Sequence, residues 1–165
     1  MAHPKEADLD ALLQALVGSG IEFIVVGGAA AVLQGAPTTT QDLDIVHRRT
    51  AGNVARLEQL LTALDARIRD PAGRDLRPDV SHLSGRGQLN LSTSLGPLDP
   101  RCEIHDGRGY EELLPRSEIL TDGSTRLRVL DLPTPIEVKA SAGRPKDRIV
   151  VPILLALLAE REREK

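Results

Sequence analysis

Residues 21–47, IEFIVVGGAAAVLQGAPTTTQDLDIVH, pass from one apolar strand through a glycine corner into a second strand that carries acids. Ile21–Val26 is β-branched and apolar on both faces apart from Glu22, which predicts a buried strand. Gly27-Gly28 breaks it. Ala29–Gln34 reads as a short helix stopped by Gly35, with Pro37 beyond. Asp42–His47 is the second strand. Side chains alternate along a strand, so Asp42 and Asp44 share one face, roughly 6–7 Å apart. Leu43, Ile45 and His47 point the other way, into the core.

Working outward, Leu9, Leu12, Leu13, Leu16 and Val17 form one helical stripe over Ala7–Val17, ended by Gly18-Ser19-Gly20. Val54, Leu57, Leu60, Leu61 and Leu64 do the same over Ala51–Ala66. Arg69–Gly87 is rich in proline, glycine and charge and predicts a long loop with a short strand at Asp79–Leu83. A loop of that length in a small domain is usually functional or mobile. Gln88–Ser94 alternates as a strand. Pro97–Ile104 predicts another, weakened by Pro100. Tyr110–Arg116 reads as a short helix and Arg126–Leu130 as a strand. Pro133–Ala142 and Pro145–Glu162 read as helices, each opened by proline. The expectation is an α/β (α+β) fold, a small mixed β-sheet with flanking helices. It forms one domain over residues 1–165, with a core at about 20–131 and C-terminal helices at about 132–162.

Composition narrows the function. The 165 residues are 41% apolar and 27% charged, with net charge −3. One Tyr, one Phe and no Trp exclude aromatic stacking on single-stranded nucleic acid, and the net charge excludes a general basic footprint. The longest apolar runs, Phe23–Leu33 and Ile149–Ala159, fall short of the roughly 20 residues of a membrane helix. Met1–Asp10 shows no secretory pattern, and the lone Cys102 has no internal disulfide partner. The expected location is cytoplasmic, with no membrane partner.

Two acids on one buried strand repel each other unless a cation compensates them. A divalent ion supplies that charge, and two ions about 3.5–4 Å apart are the geometry of phosphoryl transfer. Magnesium suits carboxylates, waters and phosphates. The Gly27-Gly28 corner offers bare backbone that phosphate oxygens can approach. Rival phosphate motifs are absent: there is no Gly-X-Gly-X-X-Gly, and no Gly-Lys-Ser/Thr follows the corner. Cys102, His105 and Asp106 lie too close together in sequence for a ready catalytic triad. The four histidines lack metal spacing.

Val26-Gly27-Gly28, thirteen residues, then Asp42-Leu43-Asp44-Ile45 resembles the signature of the DNA polymerase beta superfamily of nucleotidyltransferases. Thr40, two residues before the first acid, matches the small bacterial members, whereas Thr38 stands where they often carry arginine. Ile136-Glu137-Val138-Lys139 through Gly143-Arg144-Pro145-Lys146-Asp147 is similar to their C-terminal pattern. The third acid has two candidates. Gly96-Pro97-Leu98-Asp99 resembles the strand end of those relatives and is preferred, while Glu103 fits the looser hydrophobic–acid–hydrophobic rule.

The resemblance implies a magnesium-dependent transfer of a nucleoside monophosphate from a nucleoside triphosphate to a hydroxyl, releasing pyrophosphate, with two ions able to take part. It implies that Asp42 and Asp44 hold metal, and that Asp99 completes one metal site and helps deprotonate the acceptor. It further implies that Gly27 and Gly28 cradle phosphates, and that Thr40, Lys139 and Lys146 contact the nucleotide. The acceptor is a protein, an RNA or a small molecule. Some relatives belong to toxin–antitoxin systems, which implies a cognate partner protein. The alternative is a noncatalytic binding or regulatory partner of the same fold.

Overall fold

The structure is a computed structural model that describes residues 2–122 and 124–164. Helix α1 (Leu9–Gly18) precedes strand β1 (Phe23–Val26), α2 (Gly27–Leu33) and β2 (Leu43–His47). Then come α3 (Ala51–Ala63), β3 (Arg67–Ile68), α4 (Val80–Ser84), β4 (Leu91–Ser92) and β5 (Leu98–Arg101). The chain continues through α5 (Tyr110–Leu113), a 3-10 turn, and the hairpin β6 (Ser117–Asp122) and β7 (Thr125–Leu130). It closes with α6 (Pro133–Ala142) and α7 (Pro145–Arg163). Among the described residues the strands form one mixed sheet in the order β3-β4-β5-β2-β1-β7-β6. No described helix is long and apolar enough to cross a membrane.

Residues 21–47 fold much as their pattern predicts. β1 and β2 pair antiparallel, with Val25 opposite Ile45 and Val26 opposite Asp44. One sheet face carries Phe23, Val25, Leu43, Ile45 and Leu98 into a core with Leu12 and Leu16 of α1 and Val54, Leu57 and Leu61 of α3. Full burial of such a leucine contributes about 1.5–3 kcal/mol. Caps fix the helices that supply it: Asp8 accepts from Ala11 N at 3.1 Å, and Thr50 from Asn53 N at 3.4 Å. The buried Asn53 amide then binds Glu22 N, Glu22 O and Arg48 O, tying α3 to the ends of β1 and β2. On the other face Ile24, Val26, Val46, Tyr110, Leu113 and Leu130 make a smaller cluster. The packing of α6 and α7 against α2 makes a third, around Leu132, Leu154 and Leu157.

Some local expectations are corrected. Asp79–Leu83 is not a strand. Asp79 Oδ1 accepts from His82 N at 3.0 Å and its own amide donates to His82 Nδ1 at 3.1 Å, a capping box that starts α4. The buried Leu83 holds that helix down. The acidic cap decides for a helix turn. Gln88–Ser94 keeps only β4, and α2 starts at Gly27, two residues before the expected Ala29. β6 carries no sequence signal because an edge strand buries little. Pro100 does not break β5. Its carbonyl accepts from Leu89 N at 3.0 Å, so its donor-less edge faces away from β2, and the parallel pairing with β2 survives.

Candidate active site

Parallel pairing sets Asp44 directly opposite Asp99, and antiparallel pairing sets Asp44 opposite Val26, the residue before the glycine corner. Three separate strands therefore deliver the corner and two acids to one level of the sheet. Asp42 lies just before β2. The Thr40 hydroxyl donates to the Asp42 carbonyl at 3.0 Å and so holds the backbone at the entrance to the strand. Exposure falls across the set: the side chain of Asp42 is 41% exposed, Asp44 16% and Asp99 4%.

Gly27 is required here by its backbone and its surroundings. Its φ is +67°, and a β-carbon there would collide with the Asp44 carboxylate oxygen Oδ2. A β-carbon on Gly28 would press on Thr40 Oγ1 at 3.0 Å. The corner thus packs its bare backbone directly on the acid strand.

Two arginines that the sequence reading did not single out complete the arrangement. Arg69, at the end of β3 (Arg67–Ile68), donates through Nη2 to Asp99 Oδ1 and lies 3.7 Å from Asp42 Oδ1. Arg101 pairs with Asp44 Oδ2 at 3.3 Å. Arg101 was legible in principle, because it stands two residues after Asp99 and so on the same strand face. Arg69 opens the long loop already flagged by its length, yet no local pattern aims it at the acids.

Burial is the main cause that raises the Asp99 carboxyl, to about 7. The charges of Asp44 and Asp42 add to this, and Arg69 opposes it. Burial likewise raises Asp44, against the pull of Arg101. The two carboxyls stand opposite each other on neighbouring strands, and each bears on the other's protonation. Glu103 sits outside this group, at an isolated bridge to Gly109.

The residues fit a divalent cation. Asp44 Oδ1 is buried with no hydrogen-bond partner, and the donors are hard carboxylate oxygens. As they stand, however, the acids are gathered around guanidinium groups. Among the described residues no three His, Cys, Asp or Glu side chains are poised to hold one ion.

Beside the acids lie two hollows. One, of about 240 Å³, is mostly apolar and runs from Gly27 and Gly28 past Thr38 and Thr39 to Ile153 and Leu154. The other, of about 100 Å³, collects Gly27, Arg101, His105, Lys139 and Arg144. Lys139 lines both. Burial lowers its pKa, while Asp147 at 3.8 Å favours its charge. Asp147 is buried and also accepts from Arg144 Nε at 2.8 Å, so it orients two cations as well as opening α7 (Pro145–Arg163). Lys146 is exposed on the first turn of α7 and lines neither hollow. It acts on the site only as a neighbouring charge that lowers Lys139.

No family model and no curated protein sequence matches this chain. Solved structures do. The lincosamide antibiotic adenylyltransferase LnuA, in its lincomycin-bound form, is similar at TM-score 0.63 and 10% identity, over 93% of this chain and 99% of that one. A nucleotidyltransferase described from Thermotoga maritima gives TM-score 0.54 at 14% identity, over 94% and 99% of the two chains. ANT(2")-Ia in complex with adenylyl-2"-tobramycin gives 0.57 at 13% identity, over 94% and 90%. The chain has the fold of nucleotidyltransferases, and the mixed sheet with flanking helices is the shared frame.

Proposed function

We propose that the protein transfers a nucleoside monophosphate from a nucleoside triphosphate to an acceptor hydroxyl, releasing pyrophosphate. The observation that carries this reading is the contact of the Gly27 corner with the Asp44 carboxylate, at the level where Asp44 stands opposite Asp99. Bare backbone for phosphates and paired acids for their counter-ions meet at one point. The fold shared with nucleotidyltransferases supports it.

Asp42, Asp44 and Asp99 would hold Mg²⁺, which when bound neutralises the triphosphate and polarises the phosphorus under attack. Gly27 and Gly28 line the larger hollow, through which the polyphosphate would approach the sheet end. Lys139 and Arg101, in the smaller hollow beside Gly27, meet the negative charge that develops on the leaving pyrophosphate. Lys146 adds long-range positive potential. Thr40 keeps Asp42 in register. The Asp99 carboxylate accepts the proton of the acceptor hydroxyl as the new phosphoester forms.

The acceptor class is tested by incubating the protein with Mg²⁺ and α-labelled triphosphates against three sets: antibiotics with free hydroxyls, transfer RNA, and protein extract. The antibiotic arm is prompted by the ligands of the structural neighbours. Labelled acceptor is the expected result. Asp44→Asn lowers the rate by several kcal/mol, about a thousandfold. Nucleotide binding with no transfer to any set, and no effect of Asp44→Asn on that binding, overturns the catalytic reading. That outcome favours a noncatalytic binding partner, a reading to which the existing Arg69 and Arg101 pairs give some support because they already compensate the acids.

A further inference from the structure

The position of Arg69 calls for a physical account. Its backbone is fixed far from the acids in the sheet order: Ile68 N donates to Leu76 O at 2.7 Å and Arg69 N to Asn90 O at 2.8 Å. β3 is the sheet edge, with β4 and β5 between it and β2. The side chain nevertheless crosses to the acid cluster and meets Asp99 and Asp42 with one guanidinium. Asp99 has no other cationic partner among the described residues. The other arginines of this loop behave differently. Arg74 folds back on Asp70, four residues before it, and Arg77 pairs with the exposed Asp65 that precedes β3.

Charge explains the arrangement and also limits it. Arg69 and Arg101 leave the three aspartates one charge short of neutral when all are ionised. A divalent ion beside Asp42 and Asp99 would then share its carboxylates with a guanidinium bonded to Asp99 and 3.7 Å from Asp42, and like charges at such range are strongly unfavourable. The guanidinium has to leave for the ion to settle. Its side chain is 38% exposed and long, so it can move without disturbing the β3 backbone. A triphosphate entering at the glycine corner offers pairs of phosphate oxygens that the planar guanidinium can take in a bidentate way.

We infer that Arg69 is a resident counter-ion that gates the cation site: it holds Asp99 and Asp42 until a triphosphate draws it away, so that divalent cation and nucleotide bind cooperatively. The inference rests on the nucleotidyl-transfer reading and assigns Arg69 a positioning role within it.

The test uses Mn²⁺ as probe, with free ion followed by electron paramagnetic resonance. The full-length protein and its Arg69→Ala, Arg69→Lys and Arg74→Ala variants are titrated with and without an α,β-methylene triphosphate that cannot react. Without nucleotide, Arg69→Ala binds Mn²⁺ about tenfold more tightly than the unaltered protein, Arg69→Lys lies between, and Arg74→Ala is unchanged. Adding the analogue tightens Mn²⁺ binding about tenfold in the unaltered protein and much less in Arg69→Ala, because the coupling has lost its carrier. Equal Mn²⁺ affinity in the unaltered protein and Arg69→Ala, with circular dichroism showing both folded, overturns the gate and leaves the catalytic reading intact. If Arg69→Ala does not fold, Arg69→Lys decides, and affinity equal to the unaltered protein counts against the gate. No binding of Mn²⁺ or analogue by any of the proteins overturns the catalytic reading, and the gate with it.

Discussion

The two faces of the central sheet are built on opposite terms. The face under α1 and α3 is filled by leucine, isoleucine and valine; its polar members Asn53 and Thr93 are bonded, and His47 is bonded through Nε2 while its Nδ1 has no partner. The other face turns acids and arginines toward each other at the level of the glycine corner and leaves Asp44 Oδ1 and Arg101 Nε buried without partners. An unpaired buried polar atom costs on the order of 1–3 kcal/mol, and here two charged side chains carry one each. The difference teaches where the molecule spends stability and where it accumulates it.

Removing apolar volume from the first face sharpens the contrast most. Leu57→Ala, at a fully buried position of α3, costs about 2–5 kcal/mol and lowers the urea midpoint. The fraction still folded keeps its full activity. Asp44→Asn should do the reverse, abolishing transfer while the midpoint stays level or rises. A midpoint drop in Asp44→Asn as large as that of Leu57→Ala would break the comparison.

A smaller effect on stability is expected at the seam between the faces. Gly27→Ala forces a side chain into a left-handed conformation, at roughly 1–2 kcal/mol, and into the Asp44 carboxylate. The unfolding midpoint falls modestly, but nucleotide affinity and transfer are lost together. Gly18→Ala, where an added β-carbon meets nothing within 4 Å, serves as the matched control and leaves both intact.

The smallest effect comes from His47, the one buried histidine among the described residues, on the apolar side. Its Nε2 bonds the Leu83 carbonyl at 2.8 Å, and its Nδ1 has no partner. Burial holds its pKa below 6.5, against the opposing pull of the Leu83 carbonyl. The unfolded chain therefore takes up the proton first as pH falls. This contribution is complete above pH 6.5 and is lost on acidification toward the folded pKa. Unfolding midpoints at about pH 7.5 and about pH 5.5 should differ by no more than about 1.4 kcal/mol from this group. His47→Gln should flatten that difference. An unchanged slope would show that the face is insensitive to a buried proton.

The strand–corner–strand unit was legible because its signals are local. Alternation places Asp42 and Asp44 on one face, and glycine marks the corner. The preference for Asp99 over Glu103 agrees with the register that sets Asp99 opposite Asp44. The capping box at Asp79 uses His82 where the usual sequence signature has Glu or Gln, so it showed only in the structure. Edge strand β6 (Ser117–Asp122) gave nothing to read, since a strand with a free edge needs no continuous apolar face.

The amino-acid order alone settled which segments bury apolar surface, where glycine frees the backbone, and which acids share a strand face, because each depends on neighbours a few residues away. It did not settle that Arg69 would reach across β4 to Asp99, that Asp147 would orient Lys139 and Arg144, or that Lys146 would remain outside the hollows. Those outcomes depend on strand order and on the packing of α6 and α7. Electrostatic partners are chosen by distance in space, and only the assembled sheet sets that distance.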